Sequence, residues 1–322
     1  MYKVTVIIPV YNVEKYIERC ARSLFEQTLD NIEYIFVDDC SSDNSVKILQ
    51  QVTKDYPSRE VDIKVLHHSH NKGSAAARNT GINAAQGKYI IHCDSDDWVN
   101  QKMYELMYEQ AIKLNTDIVI CDYNEVYHNK KNPQKINPPA ISKQCTMQIL
   151  NGQMHGSLCN KLVKRELYTK YDIQCIEGAD FCEDLYITSR LFFNAKTISY
   201  INKPLYNYCI HNRGSYTTRP LSKKNQQGLI SICKELSTYF ENDQLMSQPM
   251  INFKNAIKAD LILRGDFRLA KEIEGTGNLK SIIKHPTLPL KHKILIVFND
   301  IGFMYGLKLF RMVYKLKRRF KA

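Results

Sequence analysis

Two acidic groupings stand out by residue type and spacing. Asp94-Ser95-Asp96-Asp97 follows the apolar run Lys88-Tyr89-Ile90-Ile91-His92-Cys93, and Glu183-Asp184 opens a helical pattern. On an extended segment, residues two apart share a face. Asp94 and Asp96 are therefore expected to converge at the carboxyl end of a strand. Paired carboxylates there suit a hard divalent cation, which in turn can hold a diphosphate. That chemistry implies a nucleotide-linked substrate. A solvated turn is the competing reading of 94–97, and favourable helix-end electrostatics the competing reading of Glu183-Asp184.

The flanking pattern alternates strand and helix. Val4-Thr5-Val6-Ile7-Ile8 reads as a buried strand, and Ile17, Cys20, Ala21 and Leu24 follow helical spacing. Glu33 to Val37 is the second strand, ending at Asp38-Asp39. Ser42 or Asp43 is a candidate cap for a helix through about residue 53. A strand over 61–66, an Ala-rich helix over 73–85 and the strand ending at Asp94 come next. A helix over 101–114 and a strand over 117–121 complete this part. The Lys-, Asn- and Pro-rich stretch 128–144 reads as a loop. Helices are expected near 157–168 and 183–194, and a strand at 197–201 leads into Tyr206-Asn207-Tyr208. From about Ser222 the pattern is helical. The order predicts an α/β fold: a mainly parallel central sheet flanked by helices, with a helical C-terminal extension. The expected division is 1–220 and 221–322. Ligands of such sheets bind beyond the carboxyl ends of the strands. Pro9-Val10-Tyr11-Asn12, Asp38-Asp39 and residues 94–97 all fall there.

Composition narrows the class. With 322 residues, 44% hydrophobic and 24% charged, the chain can bury a large core. The net charge is +12, yet seven cations lie in the last fifteen residues without one acid, and the remainder holds 38 cations against 33 acids. On a helical wheel Lys308, Arg311, Lys315, Arg318 and Arg319 share one face, and Leu309, Val313, Leu316 and Phe320 the other. Such a helix can lie on an anionic membrane or pack on its own domain with a solvated basic face. Ten cysteines without a C-x-x-C pair read as reduced thiols rather than a zinc site or disulfide framework. Pro9 and Asn12 interrupt the first apolar run, which does not read as a signal peptide, and no stretch reaches bilayer-spanning length. A cytoplasmic location, peripheral on the inner face of the plasma membrane through the tail, is the expectation.

Taken in order, V-T-V-I-I-P-V-Y-N, F-V-D-D-C-S-S-D-N-S, N-K-G-S-A-A-A-R-N-T-G, G-K-Y-I-I-H-C-D-S-D-D-W, C-E-D-L-Y and Y-N-Y-C-I-H-N-R-G-S resemble the inverting family-two glycosyltransferases with a GT-A fold. The resemblance covers roughly the first two thirds of the chain. It implies that Asp39 accepts the N3–H of uracil and that Pro9 and Tyr11 form the floor and wall of the base pocket. Glu14 would close the ribose side, where a first-turn helix acid is the alternative. Asn71, Arg78, Asp94 and Ser95 would complete the nucleotide site. Asp96, Asp94 and His211 would hold Mn²⁺ or Mg²⁺ against the diphosphate, with Asp97 supporting them. Asp184 would be the general base toward the acceptor hydroxyl, with Glu183 and Ser215 beside the acceptor. Cys209 stands where many relatives carry Arg. Trp98 reads as packing rather than a sugar platform.

The implied activity is metal-dependent, inverting transfer from a UDP-sugar to a glycan or lipid-linked oligosaccharide. The rivals are a non-catalytic nucleotide-sugar-binding protein and a nucleotidyltransferase. The latter usually has an early Gly-rich basic loop, which is absent here. A dinucleotide oxidoreductase would carry G-x-G-x-x-G after its first strand, where this chain has Pro9-Val10-Tyr11-Asn12. No aromatic-basic interleaving points to nucleic acid.

Overall fold

Runs rich in β-branched residues become the strands that carry the site. In chain order these are β1 (Val4–Val10), α1 (Ile17–Phe25), β2 (Ile32–Asp38), α2 (Ser45–Lys54), β3 (Ile63–His67), α3 (Ser74–Ala84), β4 (Tyr89–His92) and β5 (Trp98–Val99). They continue with α4 (Met103–Lys113), β6 (Ile118–Tyr127), β7 (Lys130–Gln134), α5 (Ser142–Leu150), β8 (Lys161–Lys164), α6 (Arg165–Lys170), α7 (Glu183–Asn194) and β9 (Ile198–Cys209). The computed structural model describes residues 1–127, 130–210, 221–303 and 306. One compact unit holds residues 1–146 and 155–210; the other holds residues 147–154 and the described residues from 221 on.

In the first unit the strands form one sheet in the order β3-β2-β1-β4-β8-β6-β9-β5, with β7 paired to β6. The β3-β2-β1-β4 half is parallel, as expected from its β-α-β connections. The other half is mixed. β8 runs antiparallel to both β4 and β6, β5 antiparallel to β9 and β7 antiparallel to β6, while β6 and β9 are parallel. Helices cover both faces of the parallel half. Val4, Val6, Ile8 and Val10 pack with Ile17, Cys20 and Leu24 of α1 and with Met103 and Met107 of α4. Ile7 points the other way. A Cβ at Gly81 of α3 would collide with its Cγ2, so this helix lies close against the strand.

Several expectations need correction. Neither Ser42 nor Asp43 is the residue before α2; that is Asn44, although Asp43 Oδ1 accepts the Ser45 N–H at 3.0 Å. The stretch read as loop contains β7 and the start of α5. The stretch read as helix over 157–168 contains β8 before the short α6. Residues 94–97 are not extended: β4 stops at His92, and the Asp97 N–H donates to the Asp94 carbonyl at 3.0 Å, closing a turn. Alternation along a strand therefore does not set the directions of Asp94 and Asp96.

The second unit contains α8 (Lys223–Phe240), α9 (Gln244–Arg264), α10 (Phe267–Lys271), α11 (Leu279–Ile283) and α12 (Leu290–Asp300), and no strand among the described residues from 221 on. Ser222 caps α8 by accepting the Asn225 N–H, and Gly265 at φ +98° ends α9. Its core includes Leu229, Leu236, Leu261 and Leu295. Among the described residues no helix is long and apolar enough to cross a membrane. The basic tail from Lys308 to Lys321 lies outside the described residues.

Candidate active site

The carboxyl ends of β1, β2 and β4 lie side by side, and the chain after each supplies polar groups. One side chain ties this edge to α7. Arg78 on α3 is 4% exposed. Its Nη2 lies 2.9 Å from Asp94 Oδ1 and 3.2 Å from Asp184 Oδ1, and its Nε lies 3.6 Å from Glu183 Oε1. Residues more than a hundred positions apart in sequence thus meet around one guanidinium. Ser74, at the start of α3, donates to Glu183 Oε1 at 2.9 Å. The Leu158 N–H donates to Asp184 Oδ2 at 3.4 Å.

One guanidinium faces three carboxyl groups, and burial works against their ionisation. Burial first, and the Asp184 carboxylate second, push Glu183 up to about 8, against the pull of Arg78. Asp184 is also raised, by burial above all; Arg78 opposes the shift and Asp94 adds to it. The neighbouring His92 is buried and pushed well below its ordinary value, so it adds no positive charge. Asp184 Oδ1 and Arg78 Nε are buried with no hydrogen-bond partner. Two adjacent carboxyls unable to ionise together divide into a proton holder and a proton acceptor.

The acidic turn is held from behind. Asp97 is fully buried; its Oδ2 accepts from the Tyr206 hydroxyl at 2.6 Å and its Oδ1 from the Cys209 N–H at 2.7 Å. Burial and the charges of Asp96 and Asp94 raise Asp97 well above the carboxylate range. Asp97 thereby ties β9 to the turn. Arg19 donates to the Asp96 carbonyl at 2.8 Å, and its guanidinium lies 3.7 Å from the centre of the Trp98 ring. Trp98 is half-buried. Ser95 sits buried in the same turn.

Around the first strands the picture is more local. Asp39 is buried. It accepts the Lys72 and Gly73 N–H groups at 2.8 Å each and contacts His68 Nδ1 at 2.7 Å, so its carboxylate already organises the entry to α3. Asn71 lies beside it, Nδ2 to the Asp39 carbonyl at 3.4 Å. Glu14 Oε2 accepts both the N–H and the side-chain amide of Asn44, which places this acid at the entry to α2. Pro9 is in β1, and Tyr11 just beyond it is 45% exposed. His211 and Ser215 lie outside the described residues.

Two residues escaped the sequence reading. Asp180 accepts the Ala75 N–H at 3.1 Å, and its carboxylate fills the space where a Gly73 side chain would begin. Lys161 is 1% exposed, and burial lowers it to about 8. Its Nζ donates to the carbonyls of His155 and Ser157 and to Asn160 Oδ1, which pins the loop carrying Leu158 against Asp184. Its one sequence signal was position, between the apolar pairs Leu158-Cys159 and Leu162-Val163.

The donor types at the acidic turn are hard carboxylate oxygens, and the Asp94 side chain is a third exposed with Oδ1 on Arg78. No group of three or more potential metal-binding side chains occurs among the described residues. Two carboxylates completed by substrate phosphates are the common Mg²⁺ arrangement, so the residues present fit a cation shared with substrate rather than an all-protein cage.

Comparison with known proteins gives the family. The model of glycosyl transferase family 2 matches residues 5–172. The chain belongs to glycosyl transferase family 2. Putative glycosyltransferase EpsH of Bacillus subtilis is 32% identical over 282 residues, covering 85% of this chain and 78% of EpsH. EpsJ of the same organism, an uncharacterised glycosyltransferase, is 30% identical over 320 residues, 91% of this chain and 89% of EpsJ. Among solved structures, Staphylococcus aureus TarS 1–349 in complex with UDP-GlcNAc superposes with a TM-score of 0.75 at 19% identity, over 98% of this chain and 92% of that one. The fold of this family-2 glycosyltransferase is therefore the GT-A fold.

Proposed function

We propose that this glycosyltransferase moves a sugar from a UDP-sugar to a hydroxyl of a glycan or lipid-linked acceptor with inversion, in cell-surface polysaccharide synthesis. The observation that carries the reading is the Arg78 bridge, which sets Asp94 on the sheet edge opposite Asp184 on α7. A donor whose diphosphate lies at the acidic turn then has its anomeric carbon toward α7. Asp184 takes the acceptor proton as that oxygen attacks the face away from the leaving group, and an α-linked donor gives a β-glycoside. Glu183, raised to about 8, keeps its proton near neutrality and leaves Asp184 as the base. Asp94 and Asp96, with His211, would hold Mn²⁺ or Mg²⁺, which when bound supplies charge neutralisation for the departing diphosphate.

UDP-GlcNAc, found in the TarS structure, heads the panel of donors to test. Transfer or donor hydrolysis is followed by UDP release with and without Mn²⁺. Asp184→Asn is expected to bind UDP as the parent does and to lose transfer. Retained transfer would remove Asp184 as base. Asp96→Ala is expected to weaken metal-dependent UDP binding by calorimetry; unchanged metal dependence would take Asp96 out of the metal site.

A further inference from the structure

In the second unit, α11 and α12 present apolar side chains to solvent. Leu279 is 56% exposed and Ile283 59% on α11; Leu290 is 73% and Ile294 37% on α12. Scattered exposed leucines are ordinary, but these four border one groove of about 330 Å³, floored by Ile282 and Val297. The groove is braced by Lys293, whose Nζ donates to the carbonyls of Ile283 and His285. Its surroundings are basic. Lys280 on α11, Lys284 just after it and Lys291 on α12 are exposed. From Leu279 to Phe303 the one acid is Asp300, already paired with Lys258 at 2.6 Å.

We propose that this α11–α12 face docks on an anionic lipid bilayer. Apolar side chains that enter the acyl boundary while lysines remain at headgroup level are the signature of an interfacial surface. Charge decides between occupants. The chain's own tail brings seven further cations with no acid, which would repel this patch but would add to its attraction for a negative surface. A second copy docked on the same face would set the lysines of both copies against each other. A bilayer of acidic lipid satisfies the apolar groove and the cations together, and it does so whether or not Asp184 is the base.

The test is co-sedimentation of the full chain with vesicles of phosphatidylglycerol or of phosphatidylcholine, at low and high salt. Binding to phosphatidylglycerol that weakens with salt, and little binding to phosphatidylcholine, is the expected result. In the full chain, tail retained, Ile283→Asp with Leu290→Asp should lower the apparent affinity at least about tenfold. Lys280→Glu with Lys284→Glu should lower it by about fivefold or more per lysine. Unchanged urea midpoints and UDP binding show that the variants fold; if the aspartate pair unfolds, the lysine pair carries the test. The proposal is overturned by parental binding in folded variants, which would assign attachment to the tail alone. It is overturned equally by failure of the parent to bind phosphatidylglycerol, or by a parental dimer that the variants dissociate without any loss of lipid binding.

Discussion

Arg78→Met removes the charge that joins the two acidic elements while keeping an unbranched apolar side chain in the same space. The guanidinium is almost fully buried, and its carboxyl partners are themselves a third exposed or less. Deleting one partner of a buried ion pair costs about 3–5 kcal/mol, because the charges left behind have neither water nor counter-ion. That is a large share of a typical total stability of about 5–15 kcal/mol. The deficit should depend on pH in a defined direction. Without Arg78, the carboxyls of Glu183 and Asp184, already raised by burial, rise further above their unfolded values. Groups with raised folded values contribute stability that is complete at low pH and is lost as pH increases. Urea unfolding of parent and variant should therefore show a deficit of about 1–2 kcal/mol near pH 5, mostly lost packing, growing to about 3–5 kcal/mol near pH 8. Adding Asp184→Asn to the variant should recover about 1–3 kcal/mol of the alkaline deficit. A deficit that is flat with pH, or no recovery in the double variant, would refute the view that Arg78 holds these carboxyls together.

Glu183→Gln tests the proton assigned to that residue. With Glu183 raised from an ordinary 4.5 to about 8, its stabilisation is complete below the first value and is lost as pH rises through the second. The parent should lose about 1.4 kcal/mol per pH unit across that window from this group, and the variant's stability profile should be correspondingly flatter. Lys161→Met takes this donor from the His155 and Ser157 carbonyls and leaves Asn160 Oδ1 with the Ser157 hydroxyl alone, which should cost about 2–4 kcal/mol. Through the loop that holds Asp184 it should lower kcat more than it raises the donor KM, and an unchanged kcat would confine Lys161 to stability. Gly73→Ala must adopt φ +101° and displace the Asp180 carboxylate, so a loss of about 3 kcal/mol or more in urea unfolding is expected.

In the parallel half of the sheet β1, β2 and β4 were legible because they are buried on both faces and appear as mainly apolar runs closed by polar residues, while the half-buried edge strand β3 was legible from Ile63, Val65 and Leu66. β7 was not, since Lys130-Lys131-Asn132-Pro133-Gln134 buries neither face and hydrophobic periodicity reports only burial. β8 is a four-residue strand directly followed by α6, too short to show a period of its own. The two-residue β5 gives no pattern at all.

Within the site, what could be read was which residues lie at strand and helix ends; what could not was how local hydrogen bonding redirects them. Asp184 lies in the first turn of α7, whose start the sequence marks, whereas Asp94 lies in a turn beyond the end of β4, and the contact of Arg78 with Asp184 was not among the expectations. Asp39 and Glu14 sit in turns after β2 and β1, yet the backbone N–H donors that engage them, at Lys72, Gly73 and Asn44, come from turns far along the chain. Lys161 is the converse. A lysine is read as a surface cation by default, and nothing local distinguishes one whose ammonium has three carbonyl or amide oxygens waiting in a folded loop. Asp39 and Glu14 also differ from the Arg78 cluster in how many elements they join. Asp39 and Glu14 each hold a single helix entry, so mutating them should disturb the entries to α3 and α2 first. The Arg78 cluster draws on three elements spread over a hundred residues, so it exists only once the sheet has closed. It is there that folding and the proposed acid–base chemistry rest on the same ion pairs.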